Sequence, residues 1–155
     1  MSPKSGIKQL AQNRKAFHDY YIDEKFEAGI ELFGTEVKSV RMGNVNLKDS
    51  FCAVKGGEIF VHGMHISPYE KGNIFNREAM RPRRLLMHKR EIMRLGAGIQ
   101  KDGLTVIPLS IYLKGPLVKV EIALARGKKL YDKRESDAQR DANRDIERTI
   151  KERNS

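Results

Sequence analysis

The residues of this sequence best suited to binding chemistry are the Arg and Lys side chains of three clusters. Residues 77–94 hold seven Arg and Lys side chains against two carboxylates, and residues 1–15 hold four against none. A third cluster follows at residues 126–129. Clustered cations neutralise phosphates and release their counterions, which supplies much of the affinity of proteins for nucleic acids. The rings that could stack on unpaired bases are Phe17, His18, Tyr20, Tyr69 and His88.

A polyanionic partner is the first expectation from this composition, since the formal net charge of the 155 residues is +10. Each cluster alone is also compatible with an ordinary solvated surface, but three clusters in a small chain favour RNA binding. The candidate RNA-contacting side chains within or beside the clusters are Arg14, Lys15, His18, Arg84, Lys89, Arg126, Lys128 and Lys129.

Patterns typical of catalysis or metal binding are missing from the sequence. The four histidines have no local metal-ligand spacing, and the single cysteine, Cys52, excludes an internal disulfide. Gly96 and Gly98 lack the third glycine of a dinucleotide loop, so they are better interpreted as a helix terminus. We therefore expect no enzymatic activity, no cofactor and no metal. The lone cysteine and the lack of an apolar run near ~18 residues favour a cytoplasmic protein without a membrane partner.

The chain divides by composition into a body and a tail. Residues 126–155 contain ten basic and seven acidic residues and bury too few apolar groups to order alone. We predict a folded domain at residues 1–125, flexible over the first ~12, and a disordered basic tail at residues 126–155. A thin apolar stripe predicts that the tail becomes helical on a partner, as it recurs every four residues at Ala138, Ala142, Ile146 and Ile150. A solvated tail without a role is the alternative.

Antiparallel strands dominate the elements predicted for the body. Residues 20–32 alternate apolar and polar, which indicates a long strand bent near Glu24 or Gly29. Hairpin turns are predicted at residues 55–58 and 114–116, and Pro108 requires a strand edge or a bulge. This pattern predicts a mainly β fold, a small antiparallel oligonucleotide-binding (OB) type of β-barrel with two or three short helices.

Two of those helices have clear signals at their ends. Thr35 can cap the first, and Gly43 suits its carboxyl end. The second covers residues 88–95, where His88 is a candidate cap with Glu91 three residues later. Gly96 and Gly98 are expected to end it.

Five blocks of this sequence closely resemble the family of SsrA-binding proteins (SmpB). The blocks follow the family's order along nearly the whole chain, and they are residues 13–20 (NRKAFHDY), 27–30 (EAGI), 34–41 (GTEVKSVR), 84–92 (RLLMHKREI) and 127–134 (GKKLYDKR). The resemblance implies an OB-type barrel that binds the tRNA-like domain of transfer-messenger RNA (tmRNA). It also implies a non-enzymatic adaptor that, with elongation factor Tu, accompanies charged tmRNA to stalled ribosomes for trans-translation.

The resemblance also implies roles for individual residues. Its RNA-contacting positions fall on Glu27, Leu86, His88 and Lys119. From the residues alone, Glu27 could equally be a solvated carboxylate and Leu86 a core side chain. The segment implied to act in the decoding centre and the empty messenger channel comprises Gly127, Tyr131, Asp132, Lys133 and Arg134.

Two other classes of protein fit parts of the sequence. A ribosomal or ribosome-assembly protein would bury the basic tail in ribosomal RNA, and composition scarcely separates it from an adaptor. An RNA-processing enzyme is disfavoured because the sequence has no metal-ligand or acid–base cluster.

Overall fold

Nine strands and three helices make up the part of the chain that the computed structural model describes, residues 7–69 and 76–129. The helices are α1 (Arg14–Asp19), α2 (Gly34–Arg41) and α3 (Lys89–Asp102). The strands are β1 (Ile7–Gln12), β2 (Tyr20–Ile30), β3 (Val45–Asn46), β4 (Phe51–Lys55), β5 (Glu58–His62), β6 (His65–Ile66), β7 (Arg83–Leu86), β8 (Thr105–Lys114) and β9 (Leu117–Gly127). No helix among these is long and apolar enough to cross a membrane.

Antiparallel pairing closes the main sheet into a ring. The strand order is β1-β8-β4-β5-β7-β2-β9, and β9 pairs back onto β8. The main core fills this ring with side chains such as Ile59, Val61, Leu85, Val120 and Ile122. The predicted mainly β, antiparallel fold with short helices is confirmed. The predicted disordered tail lies almost entirely outside the described residues.

Local signals in the sequence placed several bends and turns correctly. The register of β2 against β9 shifts between Ile22 and Glu24, at the first of the two places, Glu24 or Gly29, where a bend was predicted. A second shift in β8 lies between Pro108 and Ser110, because proline has no N–H for a regular ladder. The β4–β5 turn contains two glycines with positive φ, which is the conformation that a tight hairpin requires.

The amino terminus is a correction to the sequence-based prediction. Residues 7–12 were expected to be flexible, but they form β1 and pair with residues 110–114 of β8. β4 meets the same strand only at Val106, so the rest of that edge has donors and acceptors for β1. Asn13 then caps α1, accepting from the Ala16 N–H at 3.3 Å and donating to the Pro108 carbonyl at 3.0 Å.

The end of α3 is a second correction. The helix continues through Gly96 and Gly98 to Asp102, and Gly103, with φ of +64°, caps its carboxyl end. A Cβ on Gly98 would lie 2.7 Å from Leu124 Cδ2, so glycine there lets the helix pack closely on β9 without a shift of the Leu124 side chain. His88 precedes the helix, and its N–H donates to Glu91 as predicted, at 3.2 Å. The helix for which Thr35 was the predicted cap is α2, and it instead starts after Phe33, whose N–H donates to Glu36 at 2.9 Å.

Candidate nucleic-acid interface

The four body residues singled out by the family resemblance lie around one open pocket of about 450 Å³. β2 runs between β7 and β9, so Gly29 pairs with Leu86 on one side and with Lys119 on the other. We call this the Glu27 pocket, and its lining is Glu27, Gly29, Leu86, Met87, His88, Glu91 and Lys119. It combines a carboxylate, a cation, an imidazole and apolar surface within a small area.

Glu27 is an exposed carboxylate held in place by two neighbours on β8. The Tyr112 hydroxyl donates to Glu27 Oε2, and Lys114 Nζ lies 3.3 Å from Oε1. The Tyr112 hydrogen bond lowers the pKa of Glu27 against the opposing effect of burial, and Lys114 and Lys119 add to the lowering. Glu27 is therefore ionised at neutral pH and can accept hydrogen bonds from base amines or a ribose 2′-hydroxyl.

Tyr112 is a member of the site that the sequence did not reveal. Burial raises its pKa, and the hydrogen bond to Glu27 raises it further, so the phenol keeps its proton. Tyr112 lies opposite Lys119 on β9. Its proximity to the pocket could therefore have been predicted only if the register of β8 against β9 were known.

Leu86 differs sharply from the residue before it. Leu85 is 1% exposed in the core, whereas Leu86 is 47% exposed at the end of β7. Alternation along a strand explains why one points inward and the next outward. An apolar side chain held at the surface beside Glu27 and Lys119 offers contact area to a base or a ribose.

The cluster at residues 77–94 is not one continuous cationic surface. Arg84 bridges the exposed carboxylates of Glu31 and Glu58 at 3.1 Å each, and Arg94 pairs with Glu24. Arg83 is 1% exposed and belongs to the interior. Lys89, the first residue of α3, is exposed. The cluster therefore contributes fewer free cations than its composition suggests.

A buried ion network holds β7 against α2. Arg83 Nε donates to Glu36 Oε2 at 2.7 Å, and its Nη1 donates to the Met64 carbonyl at 2.7 Å. Arg81 also pairs with Glu36, which is 4% exposed. Burial favours the protonated form of Glu36, but hydrogen bonds from Arg81, the Phe33 N–H and Arg83 outweigh it, and the pKa is lowered. This network positions the strand that carries Leu86.

The remaining predicted contact residues lie elsewhere on the molecule. Arg14, Lys15 and His18 are in α1, where Lys15 pairs with Asp49 at 3.2 Å and His18 with Asp19 at 2.9 Å. Arg126 is near the end of β9, which continues to Gly127 and thus past the expected boundary at residue 125. Lys128 and Lys129 follow directly. The other tail positions lie outside the described residues; they are Tyr131, Asp132, Lys133 and Arg134.

The structure thus separates the predicted contact residues into two groups, one around the Glu27 pocket and one at α1 and the end of β9. Tyr21, which pairs with Arg126, is about 20 Å from Glu27 along β2 at roughly 3.3 Å per residue. Cys52 belongs to neither group, because it is buried in β4, and burial raises its pKa. No group of three or more metal-ligating side chains occurs within residues 7–69 and 76–129.

Fold and site together define a small, basic protein with a closed antiparallel ring and a mixed polar and apolar surface pocket. Comparison with known families is specific: the SmpB protein family matches residues 10–152. The chain belongs to the SmpB protein family.

Several relatives match over nearly their full lengths. An SsrA-binding protein of Caldanaerobacter subterraneus subsp. tengcongensis is 61% identical over 150 residues, which cover 97% of this chain and 95% of the relative. One from Carboxydothermus hydrogenoformans is 60% identical, covering 94% and 98%. A solved chain described in connection with tmRNA–SmpB and the center of the bacterial ribosome is 45% identical with a TM-score of 0.66, covering 81% of this chain and 87% of that one.

Proposed function

We propose that this protein is an RNA-binding adaptor that binds the tRNA-like domain of tmRNA and delivers it to stalled ribosomes for trans-translation. Family membership supports the class of function, and the related solved chain supports both tmRNA and the ribosome as partners. The protein acts in the cytoplasm, where ribosomes translate. Its role is binding and delivery rather than catalysis.

The exposure of Leu86 is the observation that assigns the proposed RNA binding to a particular surface. Leu86 is held at the rim of the Glu27 pocket beside an ionised carboxylate and Lys119. Phosphates alone would be attracted to cations and repelled by Glu27. The mixture instead suits bases and riboses, for which hydrogen-bond acceptors and apolar contacts matter. Lys89, exposed at the start of α3, can neutralise a backbone phosphate beside Leu86. Arg84 lies on β7 with Leu86 and could contact RNA only by giving up its pairs with Glu31 and Glu58.

The tail and elongation factor Tu extend the proposal to the ribosome. We assign residues 127–134 to the decoding centre and the rest of the tail to the empty messenger channel, where it becomes helical. Its dense mixture of charges suits folding that is coupled to binding. Elongation factor Tu binds the same charged tmRNA.

Binding of tmRNA with a tRNA competitor tests this function most simply. In a gel-shift titration at moderate salt, the protein should retain labelled tmRNA when a tenfold excess of bulk ribosomal RNA fragment is added. An excess of unlabelled tRNA-like domain should displace it. Equal displacement by both competitors would instead favour a general ribosomal RNA-binding protein.

Truncation after Lys129 tests the division of labour between body and tail. We expect affinity for tmRNA to stay within about twofold, because the Glu27 pocket is complete without the tail. Tagging of nascent chains on ribosomes stalled in a reconstituted translation system should be abolished. A collapse of tmRNA affinity on truncation would contradict this division.

A further inference from the structure

The carboxylate of the Glu27 pocket is contacted by a phenol hydroxyl from a strand that is not its direct neighbour. Tyr112 and Lys114 are two residues apart on β8, so their side chains lie on the same face of the sheet. The Tyr112 hydroxyl donates to Glu27 Oε2, and Lys114 Nζ donates to Oε1 at 3.3 Å. β8 therefore reaches across β9 and engages both oxygens of a glutamate on β2.

The backbone of Tyr112 is held between two strands. Tyr112 pairs with Gln9 of β1 on one side and with Lys119 of β9 on the other. Its side chain is half-buried, and a tyrosine has only two χ angles to order. A hydroxyl on such a constrained side chain can fix the rotamer of a more mobile glutamate in advance, which lowers the entropy lost when a ligand binds.

Glu27 needs this support because a second carboxylate lies directly opposite it. Glu121 on β9 is the cross-strand partner of Glu27. Like charges in this position repel, and protonation or rotation of Glu27 would relieve the repulsion. The Tyr112 hydrogen bond opposes both, because it stabilises the ionised form in one orientation. The other charged or titratable groups around Glu27 are Lys25 on β2, Lys114, Lys119, His88 and Glu91.

A phenol orients a carboxylate without adding a charge that neutralises it. Burial raises the pKa of Tyr112, and the bond to Glu27 raises it further, so this donor stays uncharged. An ionised carboxylate has about four lone-pair sites. Glu27 therefore keeps acceptor capacity for a ligand after its contacts with Tyr112 and Lys114, and hydrogen bonds to an ionised acceptor are among the stronger ones.

We propose that Tyr112 is a positioning residue for RNA recognition, whose hydroxyl fixes the Glu27 carboxylate in the orientation that accepts hydrogen bonds from a base or a ribose of the tRNA-like domain. The inference rests on the proposed function and deepens it, because it names the side chain through which the sheet controls its recognition carboxylate. Tyr112 acts through Glu27 rather than by touching the RNA.

A double-mutant cycle on the full chain tests this role. Binding of labelled tRNA-like domain is followed by fluorescence anisotropy at one fixed salt concentration. Tyr112→Phe keeps the ring and removes the hydroxyl, and we expect affinity to fall about 2- to 10-fold, as for the loss of one hydrogen bond. In a Glu27→Ala background, the same change should have no further effect.

Ser110→Ala is the matched control. It removes a hydroxyl two residues away on the same face of β8, from a half-buried residue that lies opposite Glu121. This variant should bind the domain as wild type does. Additive losses in the cycle would show that Tyr112 acts independently of Glu27, and wild-type affinity in Tyr112→Phe would show that its hydroxyl has no part in binding. Either result would overturn the proposal.

The pH dependence of binding is a readout that a merely structural role would not move. The Tyr112 hydrogen bond lowers the pKa of Glu27, and the ionised form is the acceptor. As the pH decreases, the affinity of Tyr112→Phe should therefore begin to fall at a higher pH than that of wild type. Carbon-detected NMR titration of the Glu27 carboxyl in the free protein should show the same upward displacement of the midpoint.

Equal NMR midpoints in wild type and Tyr112→Phe would also overturn the role of Tyr112. Failure of wild type to bind the tRNA-like domain would defeat the proposed function, and this inference with it. The results that overturn Tyr112 alone leave binding by wild type intact, so the two failures are distinguishable.

Discussion

Glu27 and Glu36 carry the same side chain close together in sequence, yet the fold uses them in opposite ways. Glu36 is 4% exposed and is surrounded by Arg81, Arg83 and the Phe33 N–H. Glu27 is exposed and is fixed by Tyr112 and Lys114 without being enclosed. Both carboxylates are ionised at neutral pH, but only Glu27 has acceptor capacity accessible to a ligand. The difference separates a residue that stabilises the fold from one that we propose takes part in recognition.

The largest effect should come from removing the charge of Glu36. Glu36→Gln leaves the Arg83 guanidinium buried without its counter-charge, and we expect a loss of about 3–5 kcal/mol in the free energy of unfolding. Denaturant titration followed by circular dichroism measures it. Glu24→Gln, which breaks the exposed pair with Arg94, is the control and should cost at most ~1 kcal/mol. Equal losses in the two variants would remove the distinction between buried and exposed carboxylates.

Acid should destabilise the protein partly through Glu36. Folding lowers the pKa of this carboxyl, so its stabilising contribution is complete above the unfolded value of about 4.3. The contribution is lost as pH falls through the lower folded value. Denaturation midpoints measured from pH 6 downward should therefore fall more steeply in wild type than in Glu36→Gln. Parallel curves would show that Glu36 titrates alike in both states.

A smaller effect is expected at the exposed apolar side of the Glu27 pocket. Leu86→Ala should weaken binding of the tRNA-like domain by about 1–2 kcal/mol, because it removes apolar contact area. The free energy of unfolding should change by less than ~1 kcal/mol, since Leu86 is 47% exposed. Met93→Ala, at a 73% exposed position of α3, is the control and should alter neither quantity. A large stability loss with unchanged affinity would make Leu86 structural.

The smallest predicted change is in the salt dependence of binding. Lys119→Ala should reduce the slope of log affinity against log salt by about 1, as expected for the loss of one phosphate contact. Affinities of wild type and variant at several salt concentrations provide the slopes. An identical slope would assign Lys119 to shaping the Glu27 carboxylate rather than to contacting phosphate.

Local sequence patterns predicted the elements whose formation depends on residues close to them in sequence. Alternating residues identified β2, and paired glycines identified the β4–β5 turn. β1 was missed because its order depends on β8, about a hundred residues away in sequence. Gly98 was misinterpreted because a glycine that ends a helix and one that admits a close neighbour look identical in sequence.

In the candidate site, too, some placements follow from neighbouring residues and others depend on residues far away in sequence. Adjacent Arg83 and Arg84 have equal charge, and alternation in β7 indicates that one is buried. Which one it is depends on Glu36, 47 residues away. Family resemblance singled out Glu27 and Lys119 as candidate contact residues, but the proximity of Tyr112 to them depends on the β8–β9 register.

Affinity of Glu27→Gln for the tRNA-like domain is the most direct test of Glu27 as a recognition residue. Glu24→Gln is the matched control, because both glutamates lie on β2, are similarly exposed and pair with a cation. At one fixed salt concentration, we predict that Glu27→Gln binds about 10- to 100-fold more weakly, since a charge-assisted hydrogen bond contributes ~1.5–3 kcal/mol. Glu24→Gln should match wild type. Equal dissociation constants for the two variants would contradict the account and leave Glu27 a solvated carboxylate.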